Sequence, residues 1–249
     1  MIPNPWDAGS ARLLASLGFH ALATSSSASA GTLGRRDYAL QRDEALANAR
    51  AIAEASDLPV SADLEDGFGR DPATVAETVR LAIAAGLAGC SIEDAPGDGR
   101  PHDVMLAVER VAAAVETART AGFPFLITAR AENHCRGCED LADTIARLQA
   151  YAAAGADALF APGLPDFEAV RTVCASVPRP LNVVGTLEGG RYTVEQFAAI
   201  GVKRISLAAS LYRAALTGLR DAATEVATRG EFSFASRIIS PTEQASLIA

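Results

Sequence analysis

Short apolar runs alternate with longer helical patterns along most of the chain, and this alternation limits the folds that it can adopt. Eight of the runs are predicted as strands, namely 2–3, 20–24, 59–62, 89–92, 125–129, 158–161, 181–184 and 204–207. They are apolar almost without interruption, which is typical of parallel strands that are buried on both faces by helices.

Helical patterns fill the intervals between these runs. They cover 8–17, 41–56, 74–85, 104–121, 141–154, 167–176, 194–200 and 211–228, and glycine stands where five of them should end. Eight strand–helix pairs predict an α/β fold, a (β/α)8 barrel, formed as one domain over residues 1–249. The alternative is a doubly wound open sheet, but no GxGxxG follows a strand and no GxxxxGK[ST] occurs.

The residues from about 230 onward have no obvious place in such a barrel, and we expect this C-terminal tail to pack on a neighbouring subunit. The net charge of −8 argues against nucleic acid as a partner, because phosphate binding needs clustered Lys and Arg. No apolar run approaches the ~20 residues of a membrane span. The first residues lack the basic region and apolar core of a signal peptide. We therefore expect a cytoplasmic protein without a membrane partner.

The four cysteines, at 90, 135, 138 and 174, are too few for a disulfide framework in 249 residues. Cys135 and Cys138 form a CxxC, but no further ligands stand at the spacing of a zinc site. Two interpretations stay open for this pair, namely incidental loop thiols and a redox couple.

Acidic residues follow two neighbouring predicted strands. Asp63, Glu65 and Asp66 come after the third strand, and Glu93 and Asp94 come after the fourth. Carboxylates this close together repel one another unless a cation lies among them, and an all-oxygen ligand set suits Mg²⁺. A solvated acidic turn would explain one such cluster, but its repetition on the next strand favours a metal site.

Other polar residues stand at further strand ends, where the chemistry of a barrel collects. Ser25 and Ser26 follow the second strand, Arg130 ends the fifth, and Asn182 lies in the seventh. A guanidinium and small hydroxyls suit a carboxylate or phosphate group. The loop from 27 to 40 is long and rich in charge and glycine, and we interpret it as a lid that carries Asp37 to the reacting bond.

Eight stretches together resemble the isocitrate lyase / phosphoenolpyruvate mutase superfamily over roughly residues 1–220. They are NPWDAGSA (4–11), GFHALATSS (18–26), LGRRD (33–37), ADLEDGFG (62–69), GCSIED (89–94), TAR (128–130), AGADALFAPG (154–163) and PLN (180–182). The resemblance implies an enzyme with a Mg²⁺-dependent barrel (Mn²⁺ as the alternative ion), assembled as a homotetramer or dimer with a swapped eighth helix. It also implies a lyase that cleaves a C–C bond or decarboxylates a small α-oxo or 2-hydroxy carboxylate through an enolate.

The resemblance also implies roles for individual residues. Asp63 corresponds to the direct metal ligand, and Glu65 and Glu93 to the carboxylates that hold the metal through water. Ser25 and Ser26 correspond to the loop that grips the substrate carboxylate. Arg130 and Asn182 correspond to substrate-binding positions, and Arg130 also counts as catalytic. Asp37 corresponds to the catalytic aspartate of a mobile loop.

This sequence differs from the superfamily in one motif. Isocitrate and methylisocitrate lyases carry Lys-Lys/Arg-Cys-Gly-His just after the position of Glu93 and Asp94, whereas residues 94–102 here read DAPGDGRPH without a cysteine. Two alternatives therefore stay open: P–C bond chemistry of the phosphoenolpyruvate mutase or phosphonopyruvate hydrolase type, and a barrel that binds small molecules without catalysis.

Overall fold

A computed structural model of the protein describes residues 1–97 and 99–248 and forms a parallel barrel. Seven strands lie side by side in the order in which they occur along the chain. They are β1 (Leu22–Ala23), β2 (Val60–Asp63), β3 (Gly89–Glu93), β4 (Leu126–Arg130), β5 (Ala158–Phe160), β6 (Leu181–Val184) and β7 (Arg204–Ser206). Consecutive order with helical crossovers is the topology of a (β/α)8 barrel, so the predicted fold class is confirmed.

The first residues of the chain occupy the eighth strand position of the barrel. Ile2 forms a parallel bridge with Ser206 on β7, and the Ile2 amide donates to the Ile205 carbonyl at 2.8 Å. On the other side, the Ala23 amide of β1 donates to the Pro3 carbonyl at 3.0 Å. The segment predicted as the first strand thus closes the ring between β7 and β1.

Helices surround the barrel, and most follow the predicted bounds to within a turn. They are α1 (Ala8–Ser16), α2 (Ser26–Thr32), α3 (Arg42–Ala53), α4 (Pro72–Ala84), α5 (Val104–Ala118), α6 (Leu141–Ala153), α7 (Phe167–Ser176), α8 (Val194–Ala199), α9 (Ser210–Arg229) and α10 (Pro241–Leu247), with 3₁₀ turns at His134–Arg136, Leu187–Gly189 and Ser233–Arg237. Gly155 follows α6 at φ +103°, where only glycine is unstrained and where a Cβ would meet Val115 at 3.0 Å. The glycines at helix ends therefore terminate helices as predicted.

The hydrophobic core lies between the sheet and the helices, not inside the barrel. Outward-facing strand residues such as Ile92, Ile127 and Leu159 are at most 1% exposed and belong to one continuous apolar cluster. Inward-facing residues are largely polar, for example Ser91 and Thr128. Residues paired in a parallel ladder point to the same face, so these polar side chains share the barrel interior. An interior of this kind can hold a small ligand near the carboxyl ends of the strands.

Helix α9 leaves the barrel and exposes most of its length. Among its 20 residues only Glu225 is buried, and Leu216 and Leu219 are 42% and 66% exposed. Part of the tail returns to its own chain, because Arg12 on α1 donates to the carbonyl of Ile248 at 3.0 Å. None of the helices in the described residues combines the length and hydrophobicity of a membrane span.

Arg110 on α5 holds the loop that follows β2. Its side chain is 1% exposed and donates to the backbone carbonyls of Asp66, Gly69 and Arg70. A buried guanidinium that pairs with three carbonyls fixes this loop, since unmade buried hydrogen bonds are costly. This loop begins with the acidic residues after β2, so Arg110 supports the cavity from behind.

Replacing Arg110 by Met should lower the free energy of unfolding by about 3 kcal/mol, because three backbone carbonyls lose a buried, charged donor. Urea denaturation measures this change. The matched control is Arg80→Met, since Arg80 pairs with Glu77 on the exposed face of α4 and such pairs contribute about 0–1 kcal/mol. Equal losses for the two variants would contradict the role assigned to Arg110.

Candidate active site

A cavity of about 370 Å³ opens at the carboxyl ends of the strands. Seven of the eight residues predicted for the site line it, namely Ser25, Ser26, Asp37, Asp63, Glu93, Arg130 and Asn182. The eighth, Glu65, lines an adjoining groove that also contains Asp37 and Tyr38. The size of the main cavity fits a small organic acid, and the cavity lies where barrel enzymes do their chemistry.

Arg130 lies at the centre of the acidic side of this cavity. Its Nη1 is 2.9 Å from Asp63 Oδ1 and 2.9 Å from Glu93 Oε1, and its Nε is 2.8 Å from Glu132 Oε1. The guanidinium also lies 4.9 Å from the ring centre of Phe160. One positive charge therefore serves three carboxylates, and burial raises the pKa of both Glu93 and Glu132 despite this partner.

Hydrogen bonds from neighbouring strands fix the Asp63 carboxylate. Ser26 donates to Oδ2 from its amide at 3.1 Å and from its hydroxyl at 2.9 Å, and the Ser91 hydroxyl is 3.3 Å from Oδ1. The Asp63 amide in turn donates to Thr24 Oγ1 at 2.9 Å. Asp63 is thus held in one orientation at the end of β2, with hydrogen-bond partners on both carboxylate oxygens.

Glu65 lies beside this centre in a strained and incompletely bonded state. Its φ is +50°, it is 4% exposed, and its Oε1 has no hydrogen-bond partner among the described residues. Burial, followed by the charges of Asp63, Asp37 and Asp66, raises the pKa of Glu65 to about 8. A non-glycine residue at positive φ with an orphaned buried oxygen is the kind of position that a functional constraint explains.

Asp37 and Tyr38 bring the predicted lid onto the acidic side of the cavity. The Tyr38 hydroxyl donates to Glu93 Oε2 at 2.9 Å and accepts from Arg136 at 2.8 Å, and Asp37 Oδ1 accepts from the Ser26 hydroxyl at 3.3 Å. Burial and the charge of Asp63 raise the pKa of Asp37. The lid segment is therefore in contact with the predicted metal ligands.

The lid is shorter than the predicted loop of residues 27–40, because α2 occupies Ser26–Thr32. Ser25 caps this helix by accepting from the Ala28 amide at 3.4 Å, and Ala28 and Ala30 are fully buried. The run of serine, alanine and glycine in α2 lacks an amphipathic pattern, so the helix forms because its small residues are buried. The segment that remains as a connector runs from 33 to 41.

Asn182 and Ser25 lie in the cavity wall, and each already makes one side-chain hydrogen bond within the chain. Asn182 is 1% exposed and donates to Ser206 Oγ at 3.0 Å, while its Oδ1 has no partner in the described part of the chain. The hydroxyl of Ser25 is used for the cap of α2. Substrate contact by these two residues remains a prediction.

The CxxC lies on the loop after β4, with Cys135 inside a 3₁₀ turn and Cys138 after it, and all four cysteines are free. Cys135 as a residue is exposed, but partial burial of its thiol, followed by the charge of Glu132, raises the pKa of that thiol to about 11. Since the thiolate is the reactive form, this environment favours the interpretation of the pair as incidental loop thiols.

The structure adds site residues that the sequence pattern did not identify. Glu132 and Ser91 orient the acidic centre, Tyr38 and Arg136 tie the lid to Glu93, and Arg204 enters the cavity from β7. Tyr38 adjoins the predicted Asp37, and Glu132 follows Arg130 at the strand end, so position offered a signal for both. The contact of Arg136 with Tyr38 joins loops 98 positions apart, and no local pattern predicts it.

As arranged here, no group of three or more His, Cys, Asp or Glu side chains within residues 1–97 and 99–248 is close enough to hold a metal ion. The guanidinium of Arg130 lies between Asp63 and Glu93, and it is the positive charge that these carboxylates share. The residues nevertheless fit a hard divalent cation, because the excess of carboxylates and the orphaned Glu65 oxygen offer an all-oxygen donor set.

Comparison with known proteins agrees with this geometry. The family described as phosphoenolpyruvate phosphomutase matches residues 1–227. A protein assigned as 2-methylisocitrate lyase 2 of Corynebacterium glutamicum is 31% identical over 243 residues, which cover 92% of this chain and 76% of the relative. Oxaloacetate decarboxylase 1 of Pseudomonas putida is 30% identical over 221 residues, or 87% of this chain and 76% of the relative.

A solved structure is similar over the whole chain. The crystal structure of a candidate lyase/mutase from Burkholderia cenocepacia superposes with a TM-score of 0.96 and is 49% identical, covering 100% of this chain and 90% of that one. Fold and site thus define a barrel enzyme with a polar, acidic cavity. The chain belongs to the phosphoenolpyruvate phosphomutase family, within the isocitrate lyase / phosphoenolpyruvate mutase superfamily. The alternative of a barrel without catalysis is not retained, because the named relatives are lyases and mutases.

Replacing Arg130 by Met should destabilise the protein by about 3–5 kcal/mol, because it leaves three buried carboxylates without their shared cation. Added MgCl2 should then raise the melting temperature of the variant more than that of the parent, since a divalent cation restores the missing charge. Differential scanning calorimetry across a MgCl2 titration measures both effects.

Arg147→Met is the matched control for this experiment. Arg147 is also 12% exposed and also joins two carboxylates, Asp94 and Asp143, but it does not line the cavity. It should lower the melting temperature without a gain in response to MgCl2. A similar response to MgCl2 in both variants would mean that the acidic side of the cavity does not bind the ion.

Proposed function

We propose that this enzyme is a Mg²⁺-dependent lyase that breaks a C–C bond, by cleavage or decarboxylation, in a small α-oxo or 2-hydroxy carboxylate. The observation that supports this most directly is the arrangement of Asp63, Glu93 and Arg130 on the wall of a cavity the size of a small acid. The relatives named as lyase and decarboxylase support the same reaction class.

Asp63, with Glu65 and Glu93 around it, would hold the metal ion, which is Mg²⁺ or alternatively Mn²⁺. When bound, the ion acts as a Lewis acid that stabilises the negative charge developing on the substrate. Arg130 would turn its free donors toward the substrate carboxylate, since a guanidinium offers five donors in a planar fork. Glu132 and Phe160 keep that fork in place from behind.

Asp37 and Tyr38 would close the cavity above the substrate. Their contacts with Ser26 and Glu93 attach the lid to the acidic wall and keep water from the reacting bond. Burial and the charge of Asp63 raise the pKa of Asp37, and this direction favours a carboxyl group that takes up and releases a proton during the reaction. Asp37 would thereby serve as the general acid or base, because residues 94–102 lack the cysteine that isocitrate and methylisocitrate lyases carry there.

P–C bond chemistry is the second candidate, and it is favoured by the match of residues 1–227 to the phosphomutase family. The same acidic wall and the same arginine would serve a phosphonate in place of a carboxylate, because both groups accept two hydrogen bonds from a guanidinium. The choice between the two reactions therefore depends on the substrate and not on the fold.

A panel of substrates tests the proposal. Oxaloacetate, 2-methylisocitrate, isocitrate, 2-oxoglutarate and phosphonopyruvate are incubated with the enzyme and MgCl2, and products are identified by NMR. We expect turnover of at least one C–C substrate, and a loss of at least about 100-fold in kcat for Asp63→Asn, the scale of removing one charge-stabilising group.

Asp71→Asn is the control. Asp71 is an exposed carboxylate just before α4, so this substitution removes the same charge outside the cavity. Turnover of phosphonopyruvate alone would favour the second candidate. No Mg²⁺-dependent product from any compound, or full activity of Asp63→Asn, would contradict the proposed function.

We propose in addition that the enzyme is a homo-oligomer, a tetramer or dimer, in which α9 packs on a neighbouring subunit. The support is the exposure of apolar residues along a 20-residue helix, together with Phe232, Ile238 and Ile239 in the tail. Several large apolar side chains exposed on one helix and the tail that follows it favour an interaction site there. The swapped eighth helix expected from the resemblance would cover it.

Size-exclusion chromatography with light scattering tests this arrangement. The parent should elute as a dimer or tetramer, and Leu216→Glu combined with Leu219→Glu should shift it to a smaller species, because two charges would be buried in the interface. Met105→Glu is the control, since Met105 is 65% exposed on α5. A monomeric parent would overturn the proposal.

A further inference from the structure

Arg204 on β7 is a partly buried arginine without a partner in the described residues. It makes no ion pair and no side-chain hydrogen bond within the described residues, although it lines the active-site cavity. Burial lowers the pKa of its guanidinium to about 10, against a partial opposing effect of Asp63. A guanidinium that is partly withdrawn from water into a cavity without a partner is well placed to bind an anion from outside the chain.

Strand register sets Arg204 on the same inner face as the catalytic wall. Glu93 pairs with Arg130, Arg130 with Phe160, Phe160 with Asn182, and Asn182 with Arg204, so that one row crosses five strands. Side chains paired in a parallel ladder point to the same face of the sheet. Arg204 therefore enters the barrel interior at the level of the acidic centre.

The ring of strands sets Arg204 across the cavity from that centre. If the segment at Ile2 is counted as a strand, the ring has eight members, and β7 lies opposite β3, which carries Glu93. The interior of an eight-stranded barrel is wide enough for one small ligand. A ligand held at one end by Arg130 thus has its far end directed at Arg204.

The charges of the cavity follow the same division. The carboxylates that line it belong to β2, β3 and the lid, whereas the side formed by β6, β7 and the start of α9 contributes Arg204 and Arg213. Arg213 is exposed at the cavity mouth, and Arg204 lies deeper. A ligand with one anionic group would leave this basic side unmatched, and a ligand with two would satisfy both sides.

We propose that Arg204 is a specificity-determining residue that binds a second anionic group of the substrate, so that the enzyme acts on dianionic acids. This inference rests on the proposed function, because the acidic wall and Arg130 must take the reacting end. The second group is a carboxylate or a phosphonate, both of which a guanidinium binds through paired hydrogen bonds. Monocarboxylic acids of the same length would bind weakly.

Three ligands that differ in one group test the proposal by isothermal titration calorimetry in MgCl2. Lactate has one anionic group, malate adds a carboxylate to the same carbon skeleton, and 3-phosphonolactate adds a phosphonate. The parent should bind malate or 3-phosphonolactate more tightly than lactate. In Arg204→Met that affinity should fall about 10- to 100-fold, the range for a hydrogen bond to a charged group, with lactate affinity within about 3-fold of the parent.

Two further variants keep the result interpretable. Arg204→Lys retains the charge and should recover part of the preference, and it also serves if Arg204→Met fails to fold. Lys203→Met removes the same charge from the exposed neighbouring position, and it should leave the preference unchanged. Whichever of malate and 3-phosphonolactate binds more tightly shows whether the second anionic group is a carboxylate or a phosphonate.

Equal loss of lactate and dianion affinity in Arg204→Met would overturn the proposal, because it would show that Arg204 only shapes the barrel. A parent without preference for dianions would overturn it as well. Because binding is measured without turnover, the result is separate from the test of the proposed function. An enzyme that binds dianions through Arg204 but converts none of the panel would refute the reaction and not this inference.

Discussion

The sharing of one guanidinium by three carboxylates is the interaction on which the active-site end of the barrel depends. Arg130 ends β4, and its partners end β2, end β3 and follow β4 itself, so that the group joins three adjacent strands. Buried charges cost several kcal/mol each when they are separated from their partners. The strand ends therefore cannot move apart independently, and their dipoles and charges are fixed before a substrate arrives. Preorganisation of this kind is the main source of electrostatic stabilisation in enzymes.

Much of this end of the barrel could be predicted from the sequence, because local patterns determine it. Apolar runs predict strands, and strand ends of a barrel meet at one face, so Asp63, Glu93 and Arg130 could be assigned to one site. The contacts made by Arg136 and Arg110 could not, since they join segments 98 and about 40 residues apart and depend on how the loops pack. The sequence places Arg204 at the start of a strand, and only the register with Asn182 shows that it faces the cavity. The sequence does not predict helix α2, because burial of Ala28 and Ala30 overrides a segment without helical periodicity.

A polar barrel interior distinguishes this enzyme from barrels that are filled by branched aliphatic side chains. Ser91, Thr128 and Ser206 occupy inward positions, and each is buried. The apolar area needed for stability comes instead from the interface between the sheet and the helices, where Ile92, Ile127 and Leu159 lie. This division allows the cavity to extend below the strand ends without exposing the core. It also allows long charged side chains such as Arg204 to rise from the strand into the cavity.

The charge distribution couples closure of the lid to the content of the cavity. Asp37 lies in the predicted lid segment beside the acidic wall, and burial, followed by the charge of Asp63, raises its pKa, so this position disfavours the ionised form. Tyr38 meanwhile bonds to Glu93, which is buried with its own pKa raised. On the proposed function, a cation added to the acidic wall would therefore favour the contact of this segment with the wall, because it would offset the repulsion between Asp37 and Asp63. The proposed cation and the proposed lid would thus act through one set of carboxylates, and each would stabilise the arrangement that the other needs.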